Sequence, residues 1–232
     1  MKRVFILGLS ASLLVGGISS CRKTSKGKMA NEWTVSAYNS EYKSTDGNGD
    51  VYNSTEVLNG SVLNRTSTYS PNGGVSSTMQ SSTTVSAWTY TLAKDGTWSM
   101  LSNTTFTGLD STFNDLTWEF DTFTLVETNI EEMSGVWNFI DNAGSEDFSK
   151  NERFMLSFLK GDFVNTRKEG NSAPVTTTNS AVLDGTSETM VYTVVESSKK
   201  ELMLKAESTE SFVSTSGTDV TKVLETMTFT QK

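Results

Sequence analysis

The chain has 232 residues, a formal charge of −8, one cysteine, two prolines and no histidine. Without an imidazole there is no Ser-His-Asp or Cys-His nucleophile and no His-based metal helix, and a lone cysteine makes no disulfide within one chain. An acidic balance, with no basic stripe interleaved with aromatics, argues against nucleic acid as a partner. No glycine-rich phosphate loop or nucleophile elbow occurs, so no catalytic residue, cofactor or metal is expected and the chain reads as a non-enzyme.

Met1-Lys2-Arg3 is a basic start, and Val4 to Ile18 is almost wholly apolar. At about 15 residues this run suits the apolar region of a secretory signal and is short for a membrane span. Ile18-Ser19-Ser20-Cys21 resembles the bacterial lipobox, in which an apolar residue and two small ones precede a cysteine. The resemblance implies that residues 1–20 are a lipoprotein signal peptide and that Cys21 becomes the lipidated amino end, carrying palmitate-like chains. Each buried methylene contributes about 0.8 kcal/mol, so two or three acyl chains hold a protein firmly to a membrane.

Residues 21–30 read as a polar tether, with Arg22, Lys23, Lys26 and Lys28 following the cysteine. In some Gram-negative groups acidic residues at this place mark export to the cell surface, so a basic tether points to the outer membrane, facing the periplasm. Anionic head groups add about 1 kcal/mol for each basic residue near the surface.

From Trp33 onward the pattern is of strands. Trp33, Val35 and Ala37 alternate with polar residues, the period of a sheet with one buried face. Asp46 to Asp50 is a turn, and Asn59-Gly60 predicts a two-residue type I′ hairpin between Val51–Leu58 and Ser61–Tyr69. Both of these strands are polar on both faces, so they project beyond a main core. In Val75–Ala93, Trp88, Tyr90 and Leu92 share a face, and Lys94-Asp95-Gly96 reverses the chain into a strand opened by Trp98 and Met100. A loop is expected over 108–115, a strand at Trp118-Phe120-Thr122 and a helical turn at Asn129–Ser134. Strands follow at Val136–Ile140 and Arg153–Lys160, then a long polar loop over Gly161–Ser187. Met190–Glu196, Glu201–Ser214 and Val220–Lys232 close the chain; in the last, Val223, Glu225, Met227 and Phe229 share one face. Strands joined by hairpin-length links form an antiparallel meander, because parallel pairing would need crossover helices.

Trp88-Thr-Tyr-Thr-Leu-Ala-Lys-Asp-Gly-Thr-Trp98, Gly135-Val-Trp137, Glu201-Leu-Met-Leu204 and Met227-Thr-Phe229 follow one another in an order that resembles the lipocalin-like lipoproteins of Gram-negative bacteria. The resemblance implies an all-β fold over 31–232, an up-and-down meander closing into a barrel of roughly 8–10 strands, with the tryptophan of the GxW element plugging one end. It also implies an interior able to hold a small apolar ligand. The alternative is a packed barrel without a ligand, a structural lipoprotein that contacts envelope partners. Core packing is the expected role of Trp33, Trp88, Trp98, Trp118 and Trp137, since one tryptophan per strand fills such a core.

Two smaller signals are weighed. Asp46, Asn48 and Asp50 have the spacing of the first ligands of a calcium loop, but Val51 and Val57 stand where that loop needs Gly and Glu, so a glycine-rich turn is expected. Asp110-Ser111-Thr112 resembles a short periplasmic O-glycosylation signal.

Overall fold

The computed structural model describes residues 29–140, 152–185, 189–198, 200–214 and 217–232. The expected signal peptide (residues 1–20), Cys21 and residues 22–28 of the expected tether lie outside them. The described chain folds into β1 (Glu32–Thr45), β2 (Val51–Asn59), β3 (Val62–Ser70), β4 (Ser77–Leu92), β5 (Thr97–Asn114) and β6 (Glu119–Ile140). These are followed by β7 (Arg153–Glu169), β8 (Val175–Val182), β9 (Thr189–Ser197), β10 (Glu201–Ser214) and β11 (Gly217–Gln231). Every ladder is antiparallel, and β1–β11 and β6–β7 pairings close a barrel whose circuit is β1-β2-β3-β4-β5-β6-β7-β9-β10-β11. β8 is the one strand outside that circuit.

The barrel is not equally wide at its two ends. At the end holding Met29 and Lys232, Glu32–Thr34 of β1 pair directly with Thr91–Thr89 of β4. There the wall consists of β1, β4, β5, β6, β7, β9, β10 and β11. Higher up, the β2–β3 hairpin drives between β1 and β4 like a wedge, pairing with both. Its tip is pinned where the Val85 amide donates to the Ser61 carbonyl at 2.7 Å. β1 carries a bulge between Val35 and Ala37, and β4 carries one between Val85 and Ala87. Bulges bend a strand and increase its twist, so both strands splay where the wedge enters. An eight-strand wall is about as wide as its own side chains can fill, and a wider wall leaves room inside.

The second asymmetry lies at β7. Its lower half pairs with β9 and its upper half with β8, and both run downward along the same edge. β8 and β9 are thus one interrupted stave. In the upper half β8 bonds only to β7, while Ala206–Ser214 of β10 bond only to β11, so two strand edges face each other across a slot. β8 is short, polar and exposed and follows Pro174, features that discourage edge-to-edge association.

The core fills the narrow end. Met29, Trp33, Val35, Leu92, Trp98, Met100, Trp137, Phe154, Leu156, Tyr192, Leu202, Leu204, Met227 and Phe229 are buried there. Burying each large apolar side chain contributes about 1.5–3 kcal/mol. All three buried indoles give their N–H to main-chain carbonyls: Trp33 to Met29 at 2.7 Å, Trp98 to Ser157 at 3.1 Å and Trp137 to Ala93 at 2.9 Å. Gly135 lies directly opposite Trp98, and a Cβ there would come within 1.8 Å of the Ser157 carbonyl oxygen and 2.8 Å of Trp98 Nε1. A glycine is required because the Trp98 ring crosses β6 at that point to reach β7.

The all-β meander and the packed role of Trp33, Trp98 and Trp137 are as expected; five local expectations are not. The residues Asn129–Ser134 continue β6 rather than forming a helical turn, with Glu131 inside and Glu132 outside. The hairpin loop is Gly60-Ser61, one residue later than expected, and only Gly60 takes a positive φ (61°), the pattern of a type II′ turn. The presumed loop at 108–115 belongs mostly to β5, and the presumed loop at 161–187 holds the upper half of β7 and all of β8. Trp118 is not core: it sits at the β5–β6 turn, 80% exposed and at φ 59°.

Candidate functional site: the floor of the wide mouth

Strand alternation, counted upward from the packed end, decides which side chains line the widened half. Partners across each ladder share a face, so Met227 inside puts Tyr38 inside, then Ser40 with Glu225, then Tyr42 with Val223. The same rule puts Leu58, Glu56 and Ser54 inside on β2, and Leu63, Arg65 and Ser67 on β3. Across the mouth it puts Trp88 and Tyr90 inside on β4, Ser102 on β5 and Glu131 on β6. At this level the lining of β1, β2, β3, β5 and β6 therefore turns from apolar to polar, while Phe163 faces inward on β7 and Phe106 and Leu125 face inward again higher on β5 and β6.

At that boundary lies a group of three tyrosines and one carboxylate. Glu225 is held on β11 between Ser40 and Ala206, two small cross-strand neighbours that do not cover it. The Tyr192 hydroxyl lies 3.3 Å from Glu225 Oε1 and 3.4 Å from Met190 Sδ. A hydroxyl has one proton, and a carboxylate is the stronger acceptor, so Tyr192 donates to Glu225. Burial pushes the Glu225 carboxyl above its usual range, against the Tyr192 hydrogen bond, and the nearby Glu56 pushes in the same direction as burial. Tyr38 is raised to about 12, first by burial and then by the charge of Glu225. Tyr90 and Tyr192 are raised by the same two causes. All three phenols stay protonated at neutral pH, and Tyr192 donates to Glu225.

Aromatic faces surround this carboxylate. Tyr38 and Trp88 lie with ring centroids 5.0 Å apart, and Tyr90 meets Phe229 edge-on at 5.4 Å and Trp98 at 6.2 Å. These rings continue the packed core upward and leave the Tyr38–Trp88 pair half-buried at its upper surface. The two inward arginines are already engaged. Arg65 pairs with Glu56, while Arg167 lies 3.1 Å from Asp110 and 2.8 Å from Glu169. Among the described residues no basic side chain pairs with Glu225 or Glu131.

The expected site residues are scattered by comparison. Asp46 Oδ1 accepts from the Asn48 and Asp50 amides, at 2.9 Å each, and Asp50 accepts from the Asn72 amide and the Tyr69 hydroxyl. Those hydrogen bonds hold Asp50 below the usual carboxylate range and make a self-satisfied turn. Asp110 of the Asp110-Ser111-Thr112 signal is tied to Arg167, with Ser111 and Thr112 exposed. Two depressions of about 390 and 370 Å³ lie on the outer wall. The larger is lined by outward residues such as Thr89, Leu101 and Glu132, and its Lys160 and Asp162 are paired at 2.5 Å.

The sequence did carry one signal for the floor. Glu225 falls in phase with Val223, Met227 and Phe229, so a carboxylate on the apolar face of the last strand was visible in the alternation. Tyr90 shares the apolar face of its strand in the sequence, whereas Tyr38 alternates with Trp33, Val35 and Ala37 and comes inside because of the bulge between Val35 and Ala37.

No known protein family, curated protein or solved structure matches the chain. What stands is a closed antiparallel barrel whose form is compatible with a lipocalin-like barrel.

Proposed function

We propose that this protein is a lipid-anchored envelope protein, attached through Cys21, whose barrel binds a small ligand at the Tyr38–Trp88–Glu225 floor. The observation that carries the reading is the change of wall from eight strands at the packed end to a wider mouth above that floor. Met29 is buried at the narrow end, so a tether ending there leaves the barrel opposite its mouth. The mouth then faces away from the anchoring membrane, towards the periplasm in an outer-membrane protein.

The chemistry favours an amphipathic ligand over a purely apolar one. Most of the large buried apolar side chains close the narrow end, and directly above them is an aromatic surface rimmed by Ser, Thr, Tyr and Glu, with Phe106, Leu125 and Phe163 facing inward on the far wall. Binding is proposed rather than catalysis, because among the described residues the floor carboxylate Glu225 is held by Tyr192 beside aromatic rings.

Two measurements test this. Growth on an alkyne fatty acid should label the protein, and Cys21→Ser should abolish both the label and partition into a detergent phase; an unlabelled wild type would remove the anchor. Titration of the purified protein with a panel of fatty acids, fatty amines and small amphiphilic alcohols should perturb tryptophan fluorescence saturably through Trp88. A flat response across the panel would remove the ligand role.

One observation favours the interaction reading as a second role. At the β5–β6 tip Leu116, Trp118 and Phe120 are 94, 80 and 69% exposed, and Phe113 stacks against both aromatics at 6.0 and 5.3 Å. Exposed apolar clusters of this kind mark contact surfaces.

A further inference from the structure

Binding at the floor, if the reading above holds, has a charge requirement. Glu225 is largely withdrawn from water, it accepts a hydrogen bond from the neutral Tyr192 phenol, and no basic side chain among the described residues neutralises it. Isolated buried charges are costly, and a protein relieves them with a partner or by protonation. The partner that fits can be deduced from the surroundings.

Inward-facing Glu56, Asp110, Glu127, Glu131, Glu169 and Glu225, with Glu210 at the exposed rim, outnumber the inward Arg65 and Arg167, and each arginine is already paired. Glu127 is satisfied differently, accepting from Asn165 Nδ2 at 2.9 Å. The uncompensated charge is therefore at Glu225 and Glu131, on opposite sides of the Tyr38–Trp88 pair. Between Trp88 and Glu131 the wall carries only Ser102, and between Glu225 and β2 only Ser40, so small residues stand beside the half-buried Tyr38 and Trp88 rings. A low-dielectric concavity lined by one sign of charge concentrates the opposite sign.

Two classes of cation can be told apart by what they need. A hard metal ion takes six or more oxygens at short range, and among the described residues no three acidic, histidine or cysteine side chains converge to supply them. A large organic ammonium needs one carboxylate and the faces of aromatic rings, which attract it through their quadrupoles. Tyr38 and Trp88 at 5.0 Å, next to Glu225, are that set.

We propose that the floor of the mouth is a site for a small organic ammonium ion, with its cationic head between the Glu225 carboxylate and the Tyr38 and Trp88 rings. Its uncharged body extends upward into the Ser- and Thr-lined mouth. Tyr192 positions the carboxylate from below, and its own hydroxyl need not touch the ligand.

The experiment compares choline with its neutral isostere, 3,3-dimethylbutan-1-ol, by calorimetry and tryptophan fluorescence on the full-length protein in a non-ionic detergent. Choline should bind at least about ten-fold more tightly than the isostere. Glu225→Gln keeps the shape and the acceptor for Tyr192; it should remove most of that preference while leaving the isostere's binding within about two-fold. Trp88→Leu should weaken both ligands. Equal binding of choline and the isostere to the wild type, or an unchanged preference in Glu225→Gln, overturns the ammonium site and leaves the ligand-binding barrel standing. No binding of choline, the isostere or any member of the amphiphile panel overturns both.

Discussion

Replacing Gly135 with alanine tests the architecture of the packed end at its tightest point. Gly135 has no positive φ, so the substitution adds no backbone strain of its own and the effect is one of space. The added methyl would stand 1.8 Å from the Ser157 carbonyl oxygen, 2.9 Å from its carbon and 2.8 Å from Trp98 Nε1. Two of these are main-chain atoms of β7, which cannot swing aside. β6 and β7 must therefore separate locally, at an overpacking cost of about 1–3 kcal/mol. The movement also pulls Ser157 away from Trp98 Nε1, which lies 2% exposed and would lose its acceptor, at a further cost of about 1–3 kcal/mol. Together these amount to about 2–6 kcal/mol, a large share of the roughly 5–15 kcal/mol that holds a domain folded.

Urea unfolding followed by near-ultraviolet circular dichroism reads this directly. With a slope of about 3 kcal/mol/M the midpoint should fall by about 1 M or more, and the aromatic signal from Trp98 should weaken in the native baseline. Gly108→Ala is the control. Its Cβ would lie 2.5 Å from Phe106 Cζ, the far end of a side chain that can rotate away, so its cost should stay below about 1 kcal/mol. If the two alanines cost the same, or Gly135→Ala costs less than about 1 kcal/mol, the close crossing of Trp98 over β6 is not what requires glycine.

Other expectations follow from single residues. Trp118 holds a left-handed backbone while 80% exposed; Trp118→Asn, a residue tolerant of that geometry, should stabilise by about 1 kcal/mol. It should also remove the tryptophan emission most readily quenched by acrylamide, and a destabilised variant would count against stored strain. Glu225 has a folded pKa above its ordinary value of 4.5. The native state thus binds that proton more tightly, and this contribution, complete below about 4.5, is lost as pH rises through the folded value. Glu225→Gln should therefore flatten stability against pH above 4.5 and be the more stable protein near neutrality. Parallel curves for the two proteins would show that the carboxylate is as well solvated folded as unfolded.

The parts of the fold that could be read from sequence are those where one strand face is dry. Trp88, Tyr90 and Leu92, then Trp98 and Met100, alternate because every second residue enters the packed end. The signal fades where a strand rises above the floor, since both of its faces then meet water. That is why the upper halves of β5 and β7, and all of β8, read as loops. It is also why Glu131 and Glu132, opposite-facing neighbours on β6, passed for a helical turn. Trp118 misled for another reason: composition cannot tell an aromatic that ends a strand inside from one that caps a hairpin outside. The candidate site lies on the border of these two regimes. Its rings belong to the legible part, while the meaning of Glu225 depends on Ser40 and Ala206 beside it and on Tyr192 below, none of which is near it in sequence.

The wedge hairpin has a consequence for how such a barrel can change. Thr45 at the top of β1 pairs with Val51, Val51 with Ser70, and the neighbouring Tyr69 with Ser77 of β4, so the two strands that flank the wedge end at the same level. β1 and β4 are already neighbours at the narrow end, and the wedge contributes only Leu58 to the buried core. The hairpin is in effect a removable gusset. Lengthening, shortening or excising it would retailor the bore of the cup while leaving the foundation that folds the chain almost untouched. In this molecule durability and selectivity occupy separate storeys, and each is free to drift without the other.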